Sequence, residues 1–483
     1  MAKYNRSIII LADGARFDVF GELLEKGQLP NIKRHIVDGG TFSKAVTAFP
    51  STTGPAHMPF LTGCLSATCN VPGIRWFDKR MYGRYGHGSV LSLGAHGRYR
   101  SYVGIETFRI NDDMRSDIYT TFEIIPKSYS IFNSINRGVG RRNLTTIMRI
   151  WYWYYAHQTD RWRFVDNAAA EKLLNAIGRD FEFLFAVFPG IDEFSHLNHP
   201  RDEAAIRQYI DLDATVGKMV EKLVRLRKLD DTLLWIVSDH GLSRTHTHFC
   251  INTFLESRGI RTFYFPLVWR KNCLAANMVS GNGMTHIYFK RRDGWGEPAA
   301  LSDIDEMYPE LLNDLLAQDA VDILAVRDDN GNIVIRTKKG EGVLKFNGDD
   351  ITYVVNSSDP FGYDPSLRNS RFTFNDSRHM ISATIDSDYP DAPYQLAHIF
   401  SSPRCGDVVV SATPGFDLRI KYEDPEHKSS HGSLHRDHML VPVLTNIQLP
   451  NNTPFRTVDV FPTYLQLMGH KIPANIDGSA LSF

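Results

Sequence analysis

The chain is predicted to be an α/β protein with a central, mainly parallel sheet sandwiched by helices. Three observations carry this. First, short unbroken apolar runs (SIIILA, FEFLFAVF, TLLWIV) read as strands buried on both faces. Second, segments of helical periodicity alternate with these strands, the pattern of a strand–helix–strand chain. Third, acid or histidine follows closely on each run. Such a sheet collects those residues at the carboxyl ends of its strands, where open α/β sheets place their sites.

The elements follow in order. Residues 8–12 form the first buried strand. FDVFGELLEKG and PNIKRHIVDGG are helical and stop at glycine. AVTAFP is a strand that breaks at Pro50. STTGPAHMPFLTG starts as a turn and becomes a helix, with Pro55 suited to the first helical turn. Residues 80–165 change character: RMYGRYGHGS is rich in Gly and Tyr, and IMRIWYWYYAHQTDRWRF is dense in aromatics and Arg. That stretch is expected to be an insertion, a lid lying over the sheet. FEFLFAVFPG and TLLWIVSDHG are strands. Between them, DEAAIRQYIDLDATVGKMVEKLVRLRKL is helical, with Ile206, Ile210, Val216, Met219 and Val220 on its apolar face. Residues 260–400 are expected to form a smaller mixed α+β subdomain of short strands, with RDDNGN as a hairpin turn. DVVVSAT is a core-type strand, and HMLVPVLTN and TVDVFPTYLQLMG close the chain as strand and helix. All 483 residues are read as one domain, with the insertion and the subdomain inside it.

Whole-chain properties narrow the function. Lys+Arg is 54 and Asp+Glu is 55, so no nucleic acid or anionic membrane is expected as partner. Five scattered cysteines without a CxxC read as free thiols of a reducing compartment, with a Cys64–Cys69 pair as the alternative. The first apolar run meets Asp13 at once, so it reads as a buried strand and not a signal peptide. No run of 18 apolar residues exists, and a cytoplasmic enzyme is the expectation.

The chemistry lies in the polar residues that follow the strands. Asp192 and His196 are four apart, one turn of a helix. Asp239 and His240 are adjacent where a strand ends and the chain turns. Asp13 ends the first strand. HGSLHRDH offers His431, His435 and His438, and His431, before a flexible glycine, is the one taken. Singly each has a plain account: a helix cap, a surface pair, a loop with spare histidines. Jointly, three Asp and three His suffice for two metal sites, and zinc takes this donor set. Two metals about 3.5–4 Å apart stabilise both the attacking and the leaving oxygen of a phosphoryl transfer. Ser51, Thr52 or Thr53 would then be the metal-activated nucleophile, where otherwise STTGP is an ordinary helix cap. The combination implies a hydrolase of phosphoric esters.

LADGARFD, FPSTTGPAHMPFLTG, DEFSH, SDHG, the HG of SSHGSL and the closing TVDVFPTYLQLMG with IDG resemble the alkaline phosphatase superfamily. Within it they most resemble the type I phosphodiesterase/nucleotide pyrophosphatase branch. The resemblance runs from the first strand to the last few residues. It implies Thr53 as nucleophile, one zinc on Asp192, His196 and His431, and a second on Asp13, Asp239, His240 and Thr53. It further implies a phospho-threonine intermediate and a small-molecule phosphoester substrate: a nucleotide, a lipid head group or a phosphonate. Other divalent metals are compatible with the set. A phosphodiesterase is the first expectation. The alternatives are a phosphomonoesterase and a transferase that passes the phospho-group to an alcohol. Two departures stand out. Ala56 occupies the place of an asparagine after Pro55, and Ile74 of PGIRWFD stands where a second amide is expected. Arg75 is the residue expected to contact phosphate instead, above all in the monoesterase; its structural alternative is stacking on Trp76.

In the insertion, Arg109, Arg141, Arg142 and the aromatics Trp151, Tyr152, Trp153, Tyr154 and Tyr155 are read chiefly as the core of a lid. Stacking on a base, enclosing a quaternary ammonium or peripheral lipid contact are the alternatives. His246 and His248 are expected to support the fold rather than to bind metal.

Overall fold

The computed structural model describes residues 3–86, 98–419, 426–450 and 454–481. Residues 87–97 of the expected insertion, including part of RMYGRYGHGS, lie outside the described residues. Six strands form the first sheet, in the order Thr41–Val46, Leu440–Thr445, Thr232–Val237, Arg6–Ala12, Phe183–Phe188, Ser128–Ile131. Arg6–Ala12 is central and parallel to both neighbours, with Ile9 opposite Phe185 on one side and Trp235 on the other. Leu440–Thr445 alone runs against the rest. Ile8, Ile9, Ile10 and Leu11 are wholly buried, which is why the run does not alternate with polar residues. The helix Trp162–Ile177 packs on Phe183–Phe188, and Glu203–Arg225 packs on Trp162–Ile177. Glu203–Arg225 buries Val216, Met219 and Val220 as its periodicity predicts, while Ile206 and Ile210 are half-buried. This is the α/β fold with a mainly parallel sheet that the sequence predicts.

Residues 262–412 hold a second, nine-stranded sheet. Its neighbours are antiparallel except Thr262–Phe263 against Ala275–Ser280. DVVVSAT supplies Val408–Ala412, buried along its whole length between Met284–Phe289 and Val321–Arg327. Its core character is therefore spent in the second sheet. RDDNGN makes the hairpin between Val321–Arg327 and Ile333–Thr337, with Gly331 at φ +80°.

Two boundaries differ from the sequence reading. Ser128–Ile131, read as part of an insertion over the sheet, is the sheet's edge strand beside Phe183–Phe188. SYSI is four residues long and half polar, too short a run to announce a strand. The strand read in AVTAFP lies earlier, at Thr41–Val46. The five cysteines are all buried and free. Among the described residues no helix is long and apolar enough to cross a membrane.

Candidate active site

Three adjacent strands end at one place. Asp13 directly follows Arg6–Ala12, and Asp239 and His240 follow Thr232–Val237. Asp192 and His196 stand one turn apart on the helix Gly190–Leu197, which follows Phe183–Phe188. The approach of these segments depends on Gly14, at φ +72°. A Cβ there would lie 2.8 Å from Asp192 Cα, a distance no side chain tolerates. The Gly14 N–H donates to Asp239 Oδ1 at 3.2 Å. His431 arrives on the segment after Ser429–Ser430, which pairs with Ser243–Arg244. Gly432 then turns at φ +105° against the Ser280 carbonyl, where a Cβ would approach to 2.4 Å.

The three imidazoles are oriented alike. Nδ1 of His196 faces the Ser429 carbonyl at 2.8 Å, that of His240 the Gly241 carbonyl at 3.2 Å, and that of His431 the Ser51 carbonyl at 3.0 Å. A carbonyl only accepts, so this bonding puts each proton on Nδ1 and leaves Nε2 as a lone pair. His196 Nε2 is 3.4 Å from Asp192 Oδ1, a buried oxygen with no hydrogen bond. His240 Nε2 is 3.5 Å from Asp13 Oδ1 and 3.4 Å from Asp239 Oδ2. Lone pairs thus face lone pairs, an arrangement that fits a cation between them. Ligand atoms of Asp192, His196 and His431 lie within 4.8 Å of one another; so do those of Asp13, Asp192 and His240, and those of Asp13, His57 and Asp239. Asp192 therefore reaches both of the groupings between which the family resemblance divides the ligands.

The electrostatics agree. Burial lifts the Asp13 carboxyl well above its usual range, and the charges of Asp239 and Asp192 add to that. Burial also pushes Asp192 up to about 7, against the pull of His240. Asp239 is buried too, but His240 and His57 overcome the burial and hold it at about 2. His431 is held well below its ordinary value by burial and by the neighbouring His240 and His196. Like charges crowded in a dry site are what a bound divalent cation would relieve.

Thr53 Oγ1 lies 3.2 Å from Asp13 Oδ1 and 3.0 Å from His240 Nε2. Of the three hydroxyls left open by the sequence, it is the one at this centre. Ser51 Oγ donates to the Ser433 carbonyl, and Thr52 Oγ1 is buried without a hydrogen bond. His438, His435 and His248 are engaged elsewhere. His438 bonds Ser433 and Ser243 through its two ring nitrogens, His435 caps a short helix, and His248 pairs with Asp417 and Glu426.

Arg75 is not where its expected role requires. Its Nε donates to Ser101 Oγ at 3.1 Å and its Nη1 to the Val279 carbonyl at 2.9 Å. The ring it was expected to stack on, Trp76, instead carries the guanidinium of Arg404 at 4.1 Å. Thr53 opens into a cavity of about 420 Å³ whose walls include Ile74, Val103, Ile105 and Trp153, and Arg75 is not among them. The cavity's charged groups beyond Asp13 and Asp192 are Arg149 and Glu193. Sequence reasoning passed over both, and over His57, whose Nε2–H donates to Asp239 Oδ2 at 3.2 Å. The available signals were Glu193 beside Asp192, His57 one turn after Thr53, and the four-residue spacing of Arg149, Trp153 and His157. That spacing puts all three on one helical face, and all three line the cavity. The aromatic stretch divides: Tyr152 and Trp153 pack on Phe132, while Trp151 and Tyr154 are exposed. Arg109 pairs with Asp112 and Glu106, and Arg142 lies over Tyr129.

No curated protein matches the sequence. Solved structures match throughout. Phosphonoacetate hydrolase from Sinorhizobium meliloti 1021, in complex with phosphonoacetate, superposes with a TM-score of 0.56 at 12% identity, over 96% of this chain and 95% of that one. Human ectonucleotide pyrophosphatase/phosphodiesterase 5 gives 0.56 at 12% over the same shares. An inactive form of the murine protein of that name, in complex with AMP, gives 0.55 at 12%, over 97% of this chain and 96% of that one. At that identity the likeness is one of fold. The family match is one of sequence and spans residues 7–434, from the first strand past His431. The strand-end acids, the Thr53 turn and the imidazoles all fall within it, and the chain belongs to the type I phosphodiesterase/nucleotide pyrophosphatase family, hydrolases of phosphoester bonds.

Proposed function

We propose that this enzyme cleaves phosphodiesters through a covalent phospho-Thr53 intermediate, at a site that Asp13, Asp192, His196, Asp239, His240, His431 and Thr53 equip for two divalent cations. Imidazole nitrogen with carboxylate oxygen is the donor set zinc prefers, and the facing lone pairs fit it. Bound there, the cations would favour the Thr53 alkoxide and neutralise charge on the phosphoryl oxygens. Thr53 Oγ bonds to phosphorus as the ester alcohol departs with a proton. Water then cleaves the Oγ–P bond and restores the threonine. The sum is diester plus water giving monoester plus alcohol. Asp239, held by the Gly14 N–H, and the imidazoles, held by backbone carbonyls, keep their positions through both halves.

One observation carries the reading: Thr53 Oγ1 lies between Asp13 and His240 in the lining of a cavity. The cavity favours a diester, because Ile74, Val103, Ile105 and Trp153 make a wall for a second organic group. A monoester brings more negative charge, and the wall offers one guanidinium beside the Glu193 carboxylate. The AMP and phosphonoacetate complexes of the structural neighbours support a small-molecule substrate of this class.

The test compares bis-p-nitrophenyl phosphate with p-nitrophenyl phosphate, with and without a chelator. The diester is expected to react faster, and chelation to stop it. Thr53→Ala is expected to lower turnover at least about 10³-fold while leaving about two zinc per chain. Acid-quenched wild-type enzyme should carry phosphate on Thr53 by peptide mass spectrometry. Turnover retained in Thr53→Ala would refute the nucleophile.

A further inference from the structure

Within that reading, a phosphoryl group held at Thr53 presents non-bridging oxygens that need donors. The two positions where the family resemblance expects side-chain amides cannot supply them. Ala56 is buried with its N–H donated to the Thr52 carbonyl, and Ile74 contributes hydrocarbon to the cavity wall. Arg75 is committed to Ser101 and Val279. We infer that Arg149 binds the phosphoryl oxygens of the substrate in their place.

Arg149 lines the same cavity as Thr53, half-buried, from the helix Thr146–Thr159. Its position is fixed on three sides. The guanidinium lies 4.1 Å from the Trp153 ring centroid, Nε donates to the Phe132 carbonyl at 3.1 Å, and Nη1 is 3.5 Å from Thr107 Oγ1. A guanidinium has five N–H donors, so most remain to be used. Among the described residues Arg149 forms no ion pair within 4.0 Å; the anionic groups whose charge reaches it are Asp13 and Glu193. Asp13 is the carboxylate beside Thr53 Oγ1, which ties the cation to the reacting end of the cavity. Turning a half-buried guanidinium into a largely apolar cavity without a carboxylate partner is costly. A bound phosphoryl group, met by two parallel N–H donors, would remove that cost. Packing alone does not account for the charge: a neutral side chain would fill the space between Trp153, Phe132 and Thr107.

The experiment uses the metal-loaded enzyme, with inorganic phosphate as probe and bis-p-nitrophenyl phosphate as substrate. Arg149→Met is expected to weaken phosphate binding by calorimetry, and to lower kcat/KM, each by about 10–100-fold, the loss of one charge-assisted contact. Metal content should stay as in the wild type. Millimolar guanidinium ion should restore part of the Arg149→Met rate and leave the wild type unchanged, a response a merely structural role would not give. Arg149→Lys keeps the charge without the fork and should fall between the two. If Arg149→Met does not fold, Arg149→Lys carries the test, with about tenfold weaker phosphate binding expected. Wild-type phosphate affinity in the variant that folds, or a rate loss that guanidinium does not relieve, overturns the inference. Arg149-dependent phosphate binding in an enzyme that cleaves neither ester would leave the inference standing and remove the Thr53 reading.

Discussion

At the floor, Asp13 and Asp192 line the cavity, and Asp239, His196, His240 and His431 stand with them; they come from strand ends, the helix Gly190–Leu197 and the segment after Ser429–Ser430, and are at most 7% exposed. At its wall, the helix Thr146–Thr159 leaves Trp151 and Tyr154 more than 60% exposed, with Trp153 and Arg149 turned inward. The floor is a cluster of buried polar groups in which Asp239 and the three imidazoles are tied to backbone and Asp13 to Thr53, so losing one of these leaves a partner unsatisfied. The wall is a surface of rings packed on rings, which tolerates change at lower cost. On the function proposed above, the reaction falls to the sheet and substrate choice to the helix.

The largest effect expected at the floor comes from removing the metal. Turnover should vanish, and rising pH should favour the fold less than it does in the loaded protein. In the metal-free protein Asp13 and Asp192 have raised pKa values, Asp192 at about 7. Their protonated forms stabilise the fold fully below the ordinary carboxylate range, and this is lost as pH rises through about 7. Asp239, held at about 2, works the other way, but its contribution is lost only as pH falls toward 2. Metal binding needs deprotonated ligands and strengthens with pH. His431, held below its ordinary value, contributes with the opposite sign, its stability gained as pH rises through the ordinary histidine range. The acids' share is therefore read as a difference: between pH 5 and pH 8, chelated wild type should lose Tm relative to chelated Asp192→Asn, and loaded wild type should gain Tm relative to chelated wild type. A chelated wild type whose Tm tracks that of Asp192→Asn over the interval would mean that Asp192 is not crowded as described.

His57 sharpens the comparison at an intermediate scale. It bonds Asp239 at 3.2 Å, and its ring nitrogen also lies within 4.8 Å of an Asp13 oxygen. Groups that orient metal ligands typically matter 10–100-fold, so His57→Ala should lose about that much metal affinity or activity. Zinc titration against a chelator of known affinity would check it. A loss below threefold would detach His57 from the floor.

The floor was largely legible in the sequence and the wall was not. Asp13, Asp239 and His240 follow unbroken apolar runs, and Asp192 and His196 have helical spacing, so the rules for parallel sheets place them before any coordinate is known. His431 rests on the need for a further ligand and on the glycine after it, a thinner ground than the others have, because its position depends on Gly432 turning against Ser280, a contact made across a long stretch of sequence. Arg149 and Arg75 show the limit. Each lies in a segment rich in Arg or aromatics, and what separates them is distant in the chain: Phe132 and Thr107 for one, Ser101 and Val279 for the other. Periodicity reports which face of an element is apolar, not which cation the fold points at a cavity. Ser128–Ile131 escaped for a related reason, since an edge strand with one neighbour has little need of a long apolar run.

The smallest expected effect tests whether the wall is as separate from the chemistry as its exposure indicates. Trp153 touches the cavity and carries the Arg149 guanidinium, while its own ring packs edge-on against Phe132 and Trp162. A cation–π contact of this kind contributes about 0.5–2 kcal/mol. Trp153→Ala should therefore raise KM for a diester by about 3–10-fold, chiefly through a less ordered Arg149 and a lost apolar surface, with kcat within about twofold. Trp153→Phe keeps a ring beneath the guanidinium and should recover most of the loss. Steady-state kinetics on bis-p-nitrophenyl phosphate distinguish the cases. If kcat fell in Trp153→Ala as far as in His57→Ala, the ring would be shaping the transition state itself. The helix would then have to be counted with the strands as part of the catalytic framework.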